Sequence, residues 1–218
     1  IRARLQVLQD LSPQGLRDAA NLFTNQLRQK GKPQTMAAKY GLAFVALRQG
    51  DAAKAAVLLQ EAETAAPGKN AILSSMAIDI QLAANKPDEA LKLADAARNK
   101  FPLSRGIAWQ YADALLAAGR SDDAIRYLRD QTQQYREEPQ LHERLAKAYA
   151  GQGKQALQHV ALAESYALTG NLMPALDQLA IARRAPDASF YDQAVIDARE
   201  REFRARRKEE LQEEQNSK

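Results

Sequence analysis

Along most of the chain a larger apolar residue stands directly before a small one, and a further apolar residue follows three positions later. Leu42 and Ala43 are followed by Ala46, Met76 and Ala77 by Ile80, and Tyr111 and Ala112 by Leu115. Leu145 and Ala146 are followed by Tyr149, and Leu162 and Ala163 by Tyr166. Apolar residues three and four apart form one stripe of a helix, so each cluster predicts an amphipathic helix with a buried face. Residues able to end a helix punctuate the series at Gly15, Gly50, Asn85, Gly119, Gly153 and Gly170, in steps of 35, 35, 34, 34 and 17. Five residues after most of these turns comes an alanine: Ala20, Ala55, Ala90, Ala124 and Ala175. Pro67 and Pro102 each follow their turn by seventeen residues.

A helix, a Gly or Asn turn, a second helix and a closing proline every 34 residues is the tetratricopeptide pattern. Gly and Asn suit the turn because they accept positive φ at low cost. Alanines suit the crossings, where a larger side chain would push two helices apart. Asp51, Ser121 and Asn171 are predicted caps, and Pro87 and Pro174 fall in first turns, where proline removes no needed donor. The expected fold is an all-α superhelical solenoid of about twelve helices. Its segments are an N-terminal helix remnant over 1–12, a regular array over 13–138, an irregular half-repeat and last full unit over 139–187, and a C-terminal capping helix with a frayed tail over 188–218. Phe190, Ala194, Val195 and Ala198 form the expected docking face of that last helix, whose remaining charges lie three or four apart and support a solvated surface.

The half-length step between Gly153 and Gly170 places both histidines in one slot. His142 precedes Leu145 by three residues and His159 precedes Leu162 by three. "HERLA" opens like a zinc-binding helix, but Ala146 stands where a second histidine one turn later would share the metal. The two histidines are therefore expected to be structural. Cysteine is absent, which excludes disulfides and thiolate metal sites, and there is no glycine-rich phosphate loop. The acidic turns at 85–90 and 119–124 suit helix N-termini and lack the alternating oxygen ligands of a calcium loop. No catalytic or metal site is expected, and no cofactor.

Length allows one large or two small domains, and the low aromatic content of 6% suits closely packed helices. The 31 basic and 27 acidic residues give a mixed surface with a formal charge of +4. Basic residues are dispersed among acids without an interleaved aromatic stripe, which argues against nucleic acid. No apolar run is long enough to span a membrane. The chain opens at Ile1 within a helical pattern, as a piece of a longer protein would, so the lack of a signal peptide says little about location.

Recognition is the remaining function. First helices of such arrays line a groove that takes a segment of another protein. Counted from the crossing alanines, the expected groove residues are Tyr40, Phe44 and Arg48, then Ser74 and Ile78, then Trp109 and Asp113, and finally Glu143 and Lys147. The aromatics Tyr40, Phe44 and Trp109 are the type that anchors interfaces, and the alternative is that neighbouring helices bury them as core. A clamp for a C-terminal carboxylate needs Lys and Asn at these places and is not expected.

"IRARLQVL", the repeats, "GKQALQHVALAESYALTGNLMPALDQLAIARRA" and "FYDQAVIDAREREFR" together resemble the C-terminal part of bacterial periplasmic M48 zinc metallopeptidases of the β-barrel assembly-enhancing type. The resemblance implies a parent in the periplasm of a Gram-negative bacterium, with a zinc-bearing protease domain ahead of this region. It implies partners among outer-membrane β-barrel clients, their assembly machinery and the parent's own protease domain. No catalytic residue of that family has a counterpart here. The alternative reading is a stand-alone adaptor or scaffold with no protease.

Overall fold

The computed structural model describes residues 2–28, 32–66, 68 and 70–216. Pro67, expected to close the first unit, lies outside them, as do Ile1 and the last two residues of the tail. Twelve helices and no strands occur among the described residues. They are α1 (Arg2–Leu8), α2 (Pro13–Leu27), α3 (Lys32–Arg48), α4 (Ala52–Ala65), α5 (Ala71–Ala83) and α6 (Pro87–Lys100), followed by α7 (Arg105–Ala117), α8 (Ser121–Gln134), α9 (Pro139–Ala150), α10 (Gln155–Leu168), α11 (Leu172–Arg184) and α12 (Phe190–Asn216). The chain divides into two compact units, Ile1–Ala118 and Gly119–Lys218.

The predicted turns are where the backbone turns left-handed. Gly50, Gly119, Gly153 and Gly170 have φ between 68° and 82°, and Asn85, at 55°, is the non-glycine residue that shares this conformation. Gly15 is different: it sits in the first turn of α2, capped by the Ser12 hydroxyl, which accepts from the Gly15 amide at 3.1 Å. A Cβ at Gly15 would lie 2.3 Å from the Asp10 side chain, so glycine serves a close approach there and not a turn. Of the predicted caps, Asp51 accepts from the Lys54 amide at 2.9 Å. Ser121 is instead the first residue of α8 and makes no cap bond. Asn171 holds the cap position of α11 but donates its amide backward to Thr169. Asn70 caps α5 by accepting from Leu73, a role the repeat spacing does not reveal.

In the first unit each of α3 and α5 pairs with the helix that follows it, while α1, α3, α5 and α7 stack side by side. Val7, Phe23, Ala43, Ala55, Leu59 and Met76 belong to one buried cluster spanning α1 to α5. A second cluster joins Ile78, Ala90, Ala94, Ile107 and Ala114 across α5 to α7. The crossing alanines Ala43 and Ala112 are fully buried, as expected for helices held close by small side chains. Ala77 is only half-buried, and its neighbour Ile78 takes the interior position.

In the second unit α9 packs on α8 and α10, α10 packs on α11, and α12 lies against both α10 and α11. Ala146, Ala163 and Ala175 are buried at these crossings. The helix α12 begins with a reciprocal cap, in which Ser189 and Asp192 each accept from the other's backbone amide. Its docking face is Ile196 and Phe203, both buried. Phe190, expected on that face, is 92% exposed, and Ala194 and Ala198 are exposed as well. The helix turns its charged flank toward the neighbours instead. Arg199 pairs with Glu164 at 2.6 Å, Arg183 bridges to Asp197 and Glu200 at 2.6 Å each, and Arg206 donates to the Ala167 carbonyl at 3.1 Å.

Candidate functional site

In the first unit an apolar cleft of about 240 Å³ runs across the four stacked helices. Arg4, Leu5 and Leu8 of α1 form one wall, Tyr40, Ile72 and Ser75 line the middle, and Gly106 and Ile107 of α7 form the far side. Leu5, Leu8 and Ile72 are exposed to it, with Leu5 57% accessible. No Cβ built at Gly106 would meet a neighbour within 4 Å, so the far wall is open.

A polar cluster braces this groove. Arg4 stands 3.7 Å from Asp79 and 5.0 Å from the centre of the Phe44 ring, and Arg48 lies at the same distance from that ring. Gln110 of α7 donates its amide to Asp79 at 2.5 Å and to the Ser75 carbonyl at 2.9 Å. Helices α1, α3, α5 and α7 are thus tied together by one arginine, one ring, one carboxylate and one amide. Burial pushes the Asp79 carboxyl above its usual range; the Gln110 hydrogen bond and then Arg4 and Arg48 pull it back, while Asp113 adds to the rise. Burial also raises the Tyr40 hydroxyl, opposed by the neighbouring Arg4.

The expected groove residues divide. Tyr40 lies in the groove floor but is only 4% exposed, and Phe44 at 1% and Ile78 at 0% are core. For the two aromatics this is the alternative of burial as core; for Ile78, expected in the groove, the correction has a geometric cause. The interior position falls seven residues before each turn: Ala43 before Gly50, Ala112 before Gly119, Ala146 before Gly153 and Ala163 before Gly170. The same count from Asn85 reaches Ile78, not Ala77, so the register of α5 shifts by one residue. Ile72 and Ser75 then line the groove, with Asp79 paired to Arg4 and Gln110 beside them. Ser74 turns instead into a separate cleft of about 450 Å³ with Asn70, Leu93 and Lys100. Arg48 is exposed, and Trp109 and Asp113 are half-buried on α7.

Glu143 and Lys147, in the second unit, share a cleft of about 370 Å³ between α9 and α10 with Gln158, Leu162 and Tyr166. Ser165 donates to Glu143 at 3.3 Å. The histidines have structural partners. His159 Nδ1 is 2.7 Å from the Gln178 side chain on α11. His142 is half-buried, and burial lowers its pKa, with Arg199 adding to the effect and a backbone hydrogen bond involving Arg136 opposing it. Among the described residues no three His, Asp or Glu side chains gather closely enough to hold a metal ion. No described helix is long and apolar enough to cross a membrane.

Comparison with known proteins agrees with this architecture. Two family models described as Tetratricopeptide repeat match residues 14–70 and 81–148. Over 166 residues, 76% of the chain, it is 31% identical to the Beta-barrel assembly-enhancing protease of Escherichia coli K12, and equally to that of Shigella flexneri. The chain spans about a third (34%) of the length of these relatives. Among solved structures it is similar to YrrB, a TPR protein with an unusual peptide-binding site, at 19% identity and a TM-score of 0.53 over 76% of this chain and 84% of that one. It is also similar to MamA at 16% identity and a TM-score of 0.53, over 77% of this chain and 95% of that one. The chain is a tetratricopeptide-repeat protein of the all-α, helical-solenoid class.

Proposed function

We propose that this chain is a non-catalytic protein-interaction domain whose first unit holds a partner segment in the α1–α3–α5–α7 groove. The observation that carries the reading is the apolar cleft crossing four successive helices, with exposed Leu5, Leu8 and Ile72 above a braced floor. Exposed apolar side chains grouped in a concavity are the surface that a partner's side chains dry on binding. The cleft holding Glu143 and Lys147 is a second contact surface in this proposal.

The partial match to β-barrel assembly-enhancing proteases supports a finer reading. In it the parent is a periplasmic zinc metallopeptidase of a Gram-negative bacterium, and its zinc sits in a separate protease domain. The partners are outer-membrane β-barrel clients, their assembly machinery, or that protease domain. Segments 13–138 and 139–187 carry recognition, and 188–218 caps the array.

Photo-crosslinking tests it. A benzoylphenylalanine placed at Ile72 or Leu5 should capture an unfolded β-barrel precursor, and one placed at exposed Ile181 should not. Equal capture from all three positions would refute the groove reading. Capture of other proteins in preference to β-barrel precursors would favour an adaptor of general use.

A further inference from the structure

The charges of the first unit are sorted between its helices. The groove-forming helices α1, α3, α5 and α7 contain Arg2, Arg4, Lys32, Lys39, Arg48 and Arg105 against Asp79 and Asp113, six cations to two acids. The other three, α2, α4 and α6, contain Arg17, Lys54, Lys92, Arg98 and Lys100 against Asp18, Glu61, Glu63, Asp88, Glu89 and Asp95, five to six. Lys39 is turned toward α4, where it pairs with Glu61. Leaving out Lys39 and Lys32, four arginines remain against two acids, and of the four Arg4 lines the cleft. Of those acids, Asp79 is engaged by Arg4 and Gln110 and is driven toward its neutral form by burial. Arg4 keeps 39% of its side chain exposed at the cleft wall, and a guanidinium with five donors can take a second carboxylate.

We infer that the groove selects acidic amphipathic segments, in which apolar side chains alternate with Asp or Glu. The apolar residues enter the cleft among Leu5, Leu8, Ile72 and Ile107, and the carboxylates meet Arg4 at the cleft wall and Arg48, exposed on α3 beside Phe44. A segment carrying lysines at the same spacing fits the cleft equally well by shape but meets like charge, which costs affinity and slows encounter. This inference rests on the groove being a binding surface, and the experiment separates the two.

Three fluorescent decapeptides are titrated into the full chain by anisotropy: one alternating Leu and Glu, one alternating Leu and Lys, and one alternating Ser and Glu. The Leu/Glu peptide is expected to bind about tenfold more tightly than either of the others, and to weaken as salt is raised. Gly106→Leu adds a side chain at the open wall of the cleft without straining the helix, and should reduce that binding by about tenfold. Arg4→Gln should reduce preference for Glu over Lys while leaving the helical circular dichroism unchanged. Equal or tighter binding of the Leu/Lys peptide, lost in Gly106→Leu, would overturn the charge selection and leave the groove standing. Leu/Glu binding that Gly106→Leu does not touch, or no binding by any peptide, would overturn both.

Discussion

Arg4 and Asp79 meet at 3.7 Å although they belong to α1 and α5, with the Phe44 ring of α3 lying 5.0 Å from the same guanidinium. The contact ties α1 to α5 beside the groove. Its carboxylate sets burial against charge pairing, so it should report on pH.

Burial raises the folded pKa of Asp79, with Gln110, Arg4 and Arg48 opposing and Asp113 reinforcing. Between the usual value of about 3.9 and the raised one, the folded chain holds more protons than the unfolded chain, so this group's contribution to stability falls as pH rises. Relative to Asp79→Asn, the unaltered chain should gain stability as pH is lowered from about 7 toward about 4. Urea unfolding of the two proteins across that range checks the sign. The reverse trend would mean that the arginines outweigh burial.

Core and groove can be told apart by stability. Phe44→Ala should cost about 3–5 kcal/mol, because it empties a buried ring site. Leu5→Ala and Ile72→Ala remove side chains already exposed to water and should each cost about 1 kcal/mol or less. Urea midpoints would show the separation, and a mild Phe44→Ala would return that ring to the list of surface anchors.

Backbone conformation predicts a different pattern at the glycines. Gly119→Ala and Gly170→Ala force a side chain into φ of 70° and 77°, and each should destabilise by about 1 kcal/mol. Asn85→Gly should leave the thermal midpoint unchanged or raise it slightly. Gly15→Ala should also destabilise, although its φ is not positive, because Asp10 occupies the space.

Protonation of His142 should weaken the second unit. Its folded pKa is depressed, chiefly by burial, so below the usual value of about 6.5 the unfolded chain binds the proton first. Stability is lost as pH falls from there toward the depressed value, and His142→Gln should flatten that part of the profile. Calorimetry at a series of pH values measures it.

The last helix offers a contrast between two phenylalanines. Phe203→Ala should cost about 3 kcal/mol or more, since the ring is buried against α10 and α11. Phe190→Ala should change stability by less than about 0.5 kcal/mol. A large loss at Phe190 would restore the docking face expected from the hydrophobic pattern.

Repeats were legible because their cause is local. A glycine that ends a helix and an alanine that lets two helices approach act through backbone geometry, and the spacing between them is set by helix length. That reading gave the helix order and buried crossing alanines such as Ala43, Ala55, Ala90 and Ala112. It lost the register of α5, where Met76 and Ala77 imitate the large-small pair one residue away from Ile78. It left Phe44 open between groove and core, because a helix wheel cannot show that Arg4 and Arg48 come to lie beside the ring.

Sequence alone determined that this chain is a series of paired helices turned at fixed intervals, since periodicity, turn residues and small crossing residues all act over a few bonds. Only the tertiary structure decided which side of each helix faces the groove and which side chains wall it. Those depend on contacts such as Arg4 with Asp79 and Gln110 with Ser75, made between helices whose separation along the chain carries no record of their distance in space.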